Sequence, residues 1–302
     1  MNKTLVVILS ETRASNLTFT SFKRNVVDVL DADVCVCIGV KDGYDYTNPL
    51  FQLAKYRFTY DEPSDYAVAF DYAMTVIAPE KDAVPWKQYL QIKDQFMGGI
   101  KDPTNQHPGS AGILIFFRWF LLHKLKSMGL LDQYERFVIT RSDFYFRIPH
   151  PQMELMDPNF IWIPDGEQYG GYTDRHVVLS RQNIDSYLNI LENMTKYKEM
   201  SQKFYAKMTT HNRWNLEKLI RINLVFNKQD ENVRHIPYIM YSVREINGTT
   251  RWSTGVFNPN LQCFIKYQTE YDKSLMNEKI YSEKFGSNDT IYYSNVLSKK
   301  TC

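Results

Sequence analysis

The stretch Phe137-Val138-Ile139-Thr140-Arg141-Ser142-Asp143-Phe144-Tyr145-Phe146 decides how the rest of the chain is read. Its apolar half suits a β-strand buried on both faces, which reads as a continuous hydrophobic run rather than an alternating one. The run stops at a charged trio and resumes as alternating aromatics. Open α/β sheets bind ligands in the crevice beyond the carboxyl ends of their strands, so the trio falls where a ligand is expected. Arg141 and Asp143 are two residues apart, and an extended backbone directs both side chains to one side. A carboxylate there can hold a hard cation, and a guanidinium can grip phosphate oxygens in a bidentate fork. A structural ion pair at a strand end accounts for the same two residues equally well.

Toward the amino terminus, Leu5-Val6-Val7-Ile8-Leu9 predicts another buried strand, ending at Ser10-Glu11-Thr12-Arg13. Phe19, Phe22, Val26 and Val29 recur at helical spacing. Val34 to Val40 is the next strand and closes at Lys41-Asp42-Gly43. Strand, helix and strand form a βαβ unit, so the two strands are parallel with a right-handed crossover. From Tyr44 to Pro108, prolines at 49, 63, 79, 85 and 103 predict short elements and loops, and Asp61-Glu62-Pro63-Ser64-Asp65 reads as a solvated acidic turn. Ile113 to Leu125 is apolar nearly all round and predicts a buried helix capped by Ser110, whose free N–H groups can receive a phosphate.

Toward the carboxyl terminus, Phe160 to Pro164 reads as a strand, and Gly170-Gly171-Tyr172-Thr173-Asp174-Arg175-His176 follows it. The two glycines permit close backbone approach to a ligand and leave Asp174 at a loop tip; a solvated surface turn is the alternative. Val177 to Leu179 is a strand, and helices carry Ile184, Tyr187, Leu188 and Leu191, then Leu216 to Phe226 with Asn215 as cap. Val233 to Val243 is extended. From Asn247 onward apolar periodicity weakens, which predicts irregular cover rather than a separate core.

A chain of 302 residues can bury a large core, and a net charge of +2 gives no footprint for nucleic acid, so any anionic ligand must be met by local charges. The 21 Tyr and 18 Phe fill cores or line sugar and base pockets. Cys35, Cys37, Cys263 and Cys302 lack zinc-site spacing. Leu5 to Leu9 is too short for a signal-peptide core and no run is long enough to span a membrane, which predicts a soluble, cytoplasmic protein; sequons at Asn16, Asn193, Asn247 and Asn288 run weakly against this. Nothing fixes an oligomeric state.

Taken in order, Ser10-Glu11-Thr12-Arg13, the Phe22 to Leu30 helix leading to Ala32-Asp33-Val34-Cys35-Val36, Thr140-Arg141-Ser142-Asp143 and Gly170 to Arg175 resemble GT-A-type glycosyltransferases, in particular WavE-like bacterial and viral enzymes of surface polysaccharides. The resemblance implies one GT-A-like, Rossmann-type α/β/α sandwich over residues 1–302 with a mostly parallel mixed sheet. Residues 1–130 would serve the nucleotide, 131–245 the donor sugar and acceptor, and 246–302 would be irregular cover.

It also implies a nucleotide-diphosphate sugar donor, a glycan or glycoconjugate acceptor, and Mn²⁺ or Mg²⁺. By position, Ser10, Arg13, Lys41, Asp42, Ser110, Arg141, Ser142 and Asp143 would surround the donor, with Asp143 the metal-binding carboxylate. Asp174 would face the acceptor or act as base, with Glu167 an alternative base and His176 and His211 weaker ones. Arg141 replaces the first carboxylate of the usual DxD, so either the donor and water complete a metal's coordination or Arg141 neutralises the diphosphate directly. A nucleotidyltransferase and a non-catalytic glycan-binding protein are the competing readings; the former lacks a GxxxxGK[ST] loop.

Overall fold

The computed structural model describes residues 3–77, 85–92, 95–101, 109–196, 198–209, 214–248 and 254–297. In chain order its strands are β1 (Thr4–Ile8), β2 (Asp33–Val40), β3 (Tyr56–Asp61), β4 (Gln91–Ile92), β5 (Gln95–Phe96), β6 (Arg136–Thr140), β7 (Phe144–Phe146), β8 (Ile161–Pro164), β9 (Val177–Ser180), β10 (Val233–Ile236), β11 (Met240–Arg244), β12 (Val256–Asn258) and β13 (Cys263–Ile265). Seven of them form a sheet in the order β10-β8-β9-β6-β1-β2-β3. β1 runs parallel to β2 and to β6, β2 parallel to β3, and β8 parallel to β10. Only β9 runs against its neighbours. The sheet is therefore mixed and mostly parallel, as the α/β reading requires.

Why the central strands are continuous hydrophobic runs is visible in β1. Leu5 and Val7 face a core shared with Phe137, Ile139 and the helix Ala111–Ser127, whereas Val6 and Ile8 face the opposite core with Phe22, Val26 and Tyr292. Period-2 alternation across a sheet covered on both sides makes every position apolar. Each such aliphatic side chain contributes about 1.5–3 kcal/mol on full burial.

A second sheet, in the order β12-β13-β11-β7, is antiparallel. β6 belongs to the first sheet and β7 to the second, with only Arg141-Ser142-Asp143 between them. The charged trio is thus the joint at which the chain changes sheets. The long extended segment expected over Val233–Val243 is likewise divided, β10 joining the large sheet and β11 the small one. Pro237 stands between them and has no N–H for a ladder.

The carboxyl-terminal region departs from the expected irregular cover, since it contains β12, β13, a helix Gln268–Phe285 and a second helix Asp289–Leu297. The long helix buries only Glu270, Ser274 and Tyr281. A helix anchored by buried polar groups has no apolar stripe, which is the signal a periodicity reading needs. No helix among the described residues is long and apolar enough to cross a membrane.

Candidate active site

Loops following β1, β2 and β6 meet the segment 169–175, the start of the helix Leu216–Phe226, and the ends of β11 and β13 around a cleft of about 620 Å³. That is an ordinary volume for a small-molecule site. The β1 and β6 loops are laced together. Leu9 N–H donates to the Thr140 carbonyl at 2.9 Å, Ser142 N–H donates to Ser10 Oγ at 3.1 Å, and Ser142 Oγ donates to the Glu11 carbonyl. Thr18 Oγ1 donates to the Ser142 carbonyl at 2.6 Å. Ser142 is buried in this lacing, so it ties the loops together; Ser10 does the same and also lines the cleft.

Asp143 is fully buried beneath the cleft among three guanidiniums. Arg141 donates to both of its oxygens, Nε to Oδ1 at 2.9 Å and Nη2 to Oδ2 at 2.8 Å. Arg13 Nε donates to Oδ2 at 3.3 Å, and Arg244 Nη1 donates to the same oxygen. Ser142 and Asp143 lie in a turn rather than on the extended backbone expected, and the Arg141–Asp143 fork closes across that turn. Burial alone would raise the Asp143 pKa, but the guanidiniums of Arg141, Arg244 and Arg13 override it and hold the carboxyl well below its usual range. Lys266 joins this group. Burial, then repulsion from Arg141 and Arg244, brings its pKa down to about 7. Three guanidiniums therefore share one carboxylate, and Arg13, Arg141, Arg244 and Lys266 all line the cleft.

This donor set does not fit a resident Mn²⁺ or Mg²⁺. Both Asp143 oxygens already accept guanidinium hydrogen bonds, and a dication would enter a cationic surrounding without a second carboxylate to offset it. Among the described residues no group of three or more His, Cys, Asp and Glu is placed to hold a metal.

The cleft also carries acidic groups. Asp174 and Glu217 both line it. Burial, followed by repulsion from Asp174, pushes the Glu217 pKa up to about 7. Gly171 explains their proximity: a Cβ on it would lie 2.0 Å from the Glu217 carbonyl carbon and oxygen, and Tyr172 N–H donates to that carbonyl at 3.0 Å. The close backbone approach expected of the glycine pair is thus to the start of the Leu216–Phe226 helix. Asn215 caps that helix, its side chain accepting from Lys218 N–H at 2.9 Å. Behind these carboxylates, buried Arg175 pairs with Glu270 and lies 4.6 Å from the centre of the Tyr267 ring, while buried Arg118 donates from Nη2 to the Asp174 carbonyl at 3.0 Å.

The remaining expected residues divide. Lys41 lines the cleft and pairs with Glu62 at 2.8 Å. Glu62, read as part of a solvated turn, has a side chain only 7% exposed; it lies over Gly39, where a Cβ would meet its Cγ at 2.9 Å. Asp42 stands on an exposed turn outside the cleft lining. Ser110 is at the N-cap position of Ala111–Ser127 and lines the cleft, but its side chain makes no cap hydrogen bond. Glu167 is also outside the lining; its carboxylate accepts from Tyr169 Oη, and Tyr169 lines the cleft. His176 is buried against Thr140 Oγ1 at 3.0 Å, and burial, with His150 beside it, holds its pKa well below the usual value. His211 lies outside the described residues.

Sequence reading missed Glu217, Arg244, Lys266 and Arg118 as cleft residues. Arg244 carried a usable signal, because Met240-Tyr241-Ser242-Val243-Arg244 repeats the pattern of an apolar strand ending in arginine. Glu217 carried none, since an acidic residue in the first turn of a helix is the ordinary complement to its dipole.

No family model and no curated protein matches this chain, so the WavE-like likeness has no such match behind it. Among solved structures, the chain is similar to mouse xyloside xylosyltransferase 1 in its apo form, at a TM-score of 0.37 and 8% identity over 78% of this chain and 86% of that one.

Proposed function

We propose that the chain is a glycosyltransferase that moves a sugar from a nucleotide-diphosphate donor to a hydroxyl of a glycan acceptor. The observation that carries this reading is one cleft lined both by Arg13, Arg141, Arg244 and Lys266 and by Glu217, a carboxyl with a pKa of about 7. Sugar transfer breaks the bond between the anomeric carbon and the phosphate oxygen, and the leaving diphosphate keeps the electron pair. Arg13, Arg141 and Lys266 take up that charge, with Arg244 behind them. Asp143 holds three of these cations in place before the donor arrives, which is the preorganisation that makes electrostatic stabilisation effective.

The acceptor oxygen bonds to the anomeric carbon, and its proton passes to the Glu217 carboxylate. Burial, with Asp174 beside it, keeps that carboxylate basic enough to accept at neutral pH. No step in this scheme runs through a metal. The reading is tested by thermal-shift titration of a nucleotide-sugar panel in Mn²⁺ and in EDTA. A matching donor at 100 times its Kd stabilises by about 2.7 kcal/mol, and EDTA leaves the shift in place. A panel in which no nucleoside diphosphate or nucleotide sugar raises the melting temperature rejects the reading.

A further inference from the structure

The large sheet orders the cleft residues along its rim. Its strands there run β9-β6-β1-β2-β3. Asp174 and Arg175 precede β9, whose Val177 faces Ile139 of β6 in an antiparallel pair; Arg141 follows β6, Ser10 follows β1, Lys41 follows β2 and Glu62 follows β3. Neighbouring strands lie about 4.8 Å apart, so the strand leading to Glu62 stands about 14 Å from the one leading to Arg141. With the leaving diphosphate at Arg141 and the sugar on the side of Asp174, the nucleoside of the donor runs the other way, over β1 and β2 toward Glu62.

What it meets there is a carboxylate in apolar surroundings. Glu62 lines the cleft with a side chain only 7% exposed. It lies over Gly39, where an added Cβ would also sit 3.3 Å from Phe117 Cζ. Cys37 and Gly39 stand on one face of β2, and Cys37, Leu9 and Phe117 pack in one core cluster while lining the cleft. Tyr66 Oη donates to Glu62 Oε1 at 3.1 Å, and Lys41 Nζ pairs with Oε2 at 2.8 Å. A carboxylate has about four lone-pair sites. Each oxygen can therefore accept one further hydrogen bond while both partners stay in place.

A nucleobase has the matching form, with apolar faces and a polar edge. Guanine alone among the common bases offers two adjacent donors, N1–H and the 2-amino group, that reach both oxygens of a carboxylate at once. Uracil has one N–H between two carbonyls, and adenine and cytosine set a ring acceptor beside their amino group, which a carboxylate repels. We propose that Glu62 reads the base of the donor and that the donor is a guanosine diphosphate sugar. The proposal rests on the glycosyltransferase reading for the position of the diphosphate and adds the identity of the nucleotide.

The test is titration calorimetry of the full chain with GDP, IDP, UDP and ADP. IDP differs from GDP only in lacking the 2-amino group. GDP should bind most tightly and IDP about tenfold less tightly, the loss of one hydrogen bond to a charged group. Glu62→Gln turns one oxygen into an amide donor that opposes the guanine 2-amino group, yet it still accepts the single N–H of uracil. It should weaken GDP about 10–100-fold and leave UDP within about twofold. Binding of UDP or ADP as tight as that of GDP overturns the proposal and spares the enzyme. An equal loss of GDP and UDP in the variant does the same, because it makes Glu62 a ribose contact. Should the variant fail to fold, the wild-type ratio of GDP to IDP affinity decides, and a ratio near one overturns the proposal. Absence of binding by all four diphosphates removes the glycosyltransferase reading, and the guanine assignment with it.

Discussion

Beneath the cleft Asp143 stands among Arg13, Arg141 and Arg244; on its wall Glu217 stands beside Asp174. Both carboxylates are taken out of water, and desolvation is the largest influence on each. What differs is the company. A guanidinium in contact is worth about 4 kcal/mol at the effective dielectric near a protein surface, and three of them outweigh a burial penalty of several kcal/mol. Asp143 is therefore a fixed anion that orders cations. At Glu217 burial and repulsion from a carboxylate neighbour add and outweigh the pull of Arg175 and Arg118, so its proton becomes exchangeable near neutrality. The first carboxylate is built for constant charge and the second for proton transfer.

The largest expected effect comes from removing the fixed anion. Asp143→Ala leaves three guanidiniums facing one another at the joint between the sheets, and breaking a buried pair from one side costs about 3–5 kcal/mol. Chemical denaturation should show that loss, together with loss of donor binding. An unchanged midpoint and donor affinity would remove Asp143 from the centre of the site. Next is the proton-transfer pair: Glu217→Gln should cost about 10²–10⁴ in kcat, as loss of a general base does, with donor affinity preserved. A variant with wild-type turnover assigns the base to Asp174.

A pH profile separates the two groups further. Glu217 must be deprotonated to accept a proton, so kcat/KM rises as pH climbs through about 7; Lys266 must be protonated to hold phosphate, so kcat/KM falls above about 7. The wild type should therefore show a narrow bell near neutrality. Lys266→Arg carries a cation that stays charged and should lose the alkaline limb while keeping the acid one. Persistence of both limbs would show that Lys266 does not titrate in the reaction.

How far the sequence revealed this arrangement follows from the same contrast. Strand-end charges are legible, because a hydrophobic run that stops at Arg13 or Arg141 signals a sheet rim, and topology brings such rims together. The β1-β2-β6 parallel core and the Asn215-capped helix were legible for similar local reasons. Glu217 was not, since nothing in residues 215–218 says that Gly171 packs against their backbone. Nor was the carboxyl-terminal helix, whose anchor is the pair formed by Glu270 with a residue 95 positions away. Long-range polar contacts leave no periodic trace.

Glu167 sets the lower end of the scale and sharpens the assignment of the acidic pair. It was an expected base, but its carboxylate accepts from Tyr169 Oη and does not line the cleft, while Tyr169 does. Its backbone holds a left-handed conformation at φ 51°, which fixes where the side chain starts. Glu167→Gln retains an acceptor oxygen for the tyrosine hydroxyl, so the ring keeps its place and no proton acceptor is lost from the site. Turnover of the variant should stay within about twofold of wild type, because an exposed side-chain contact of this kind contributes about 0.5 kcal/mol or less. A fall of the size expected for Glu217→Gln would move proton abstraction out of the Asp174–Glu217 pair and onto the Tyr169 side of the cleft.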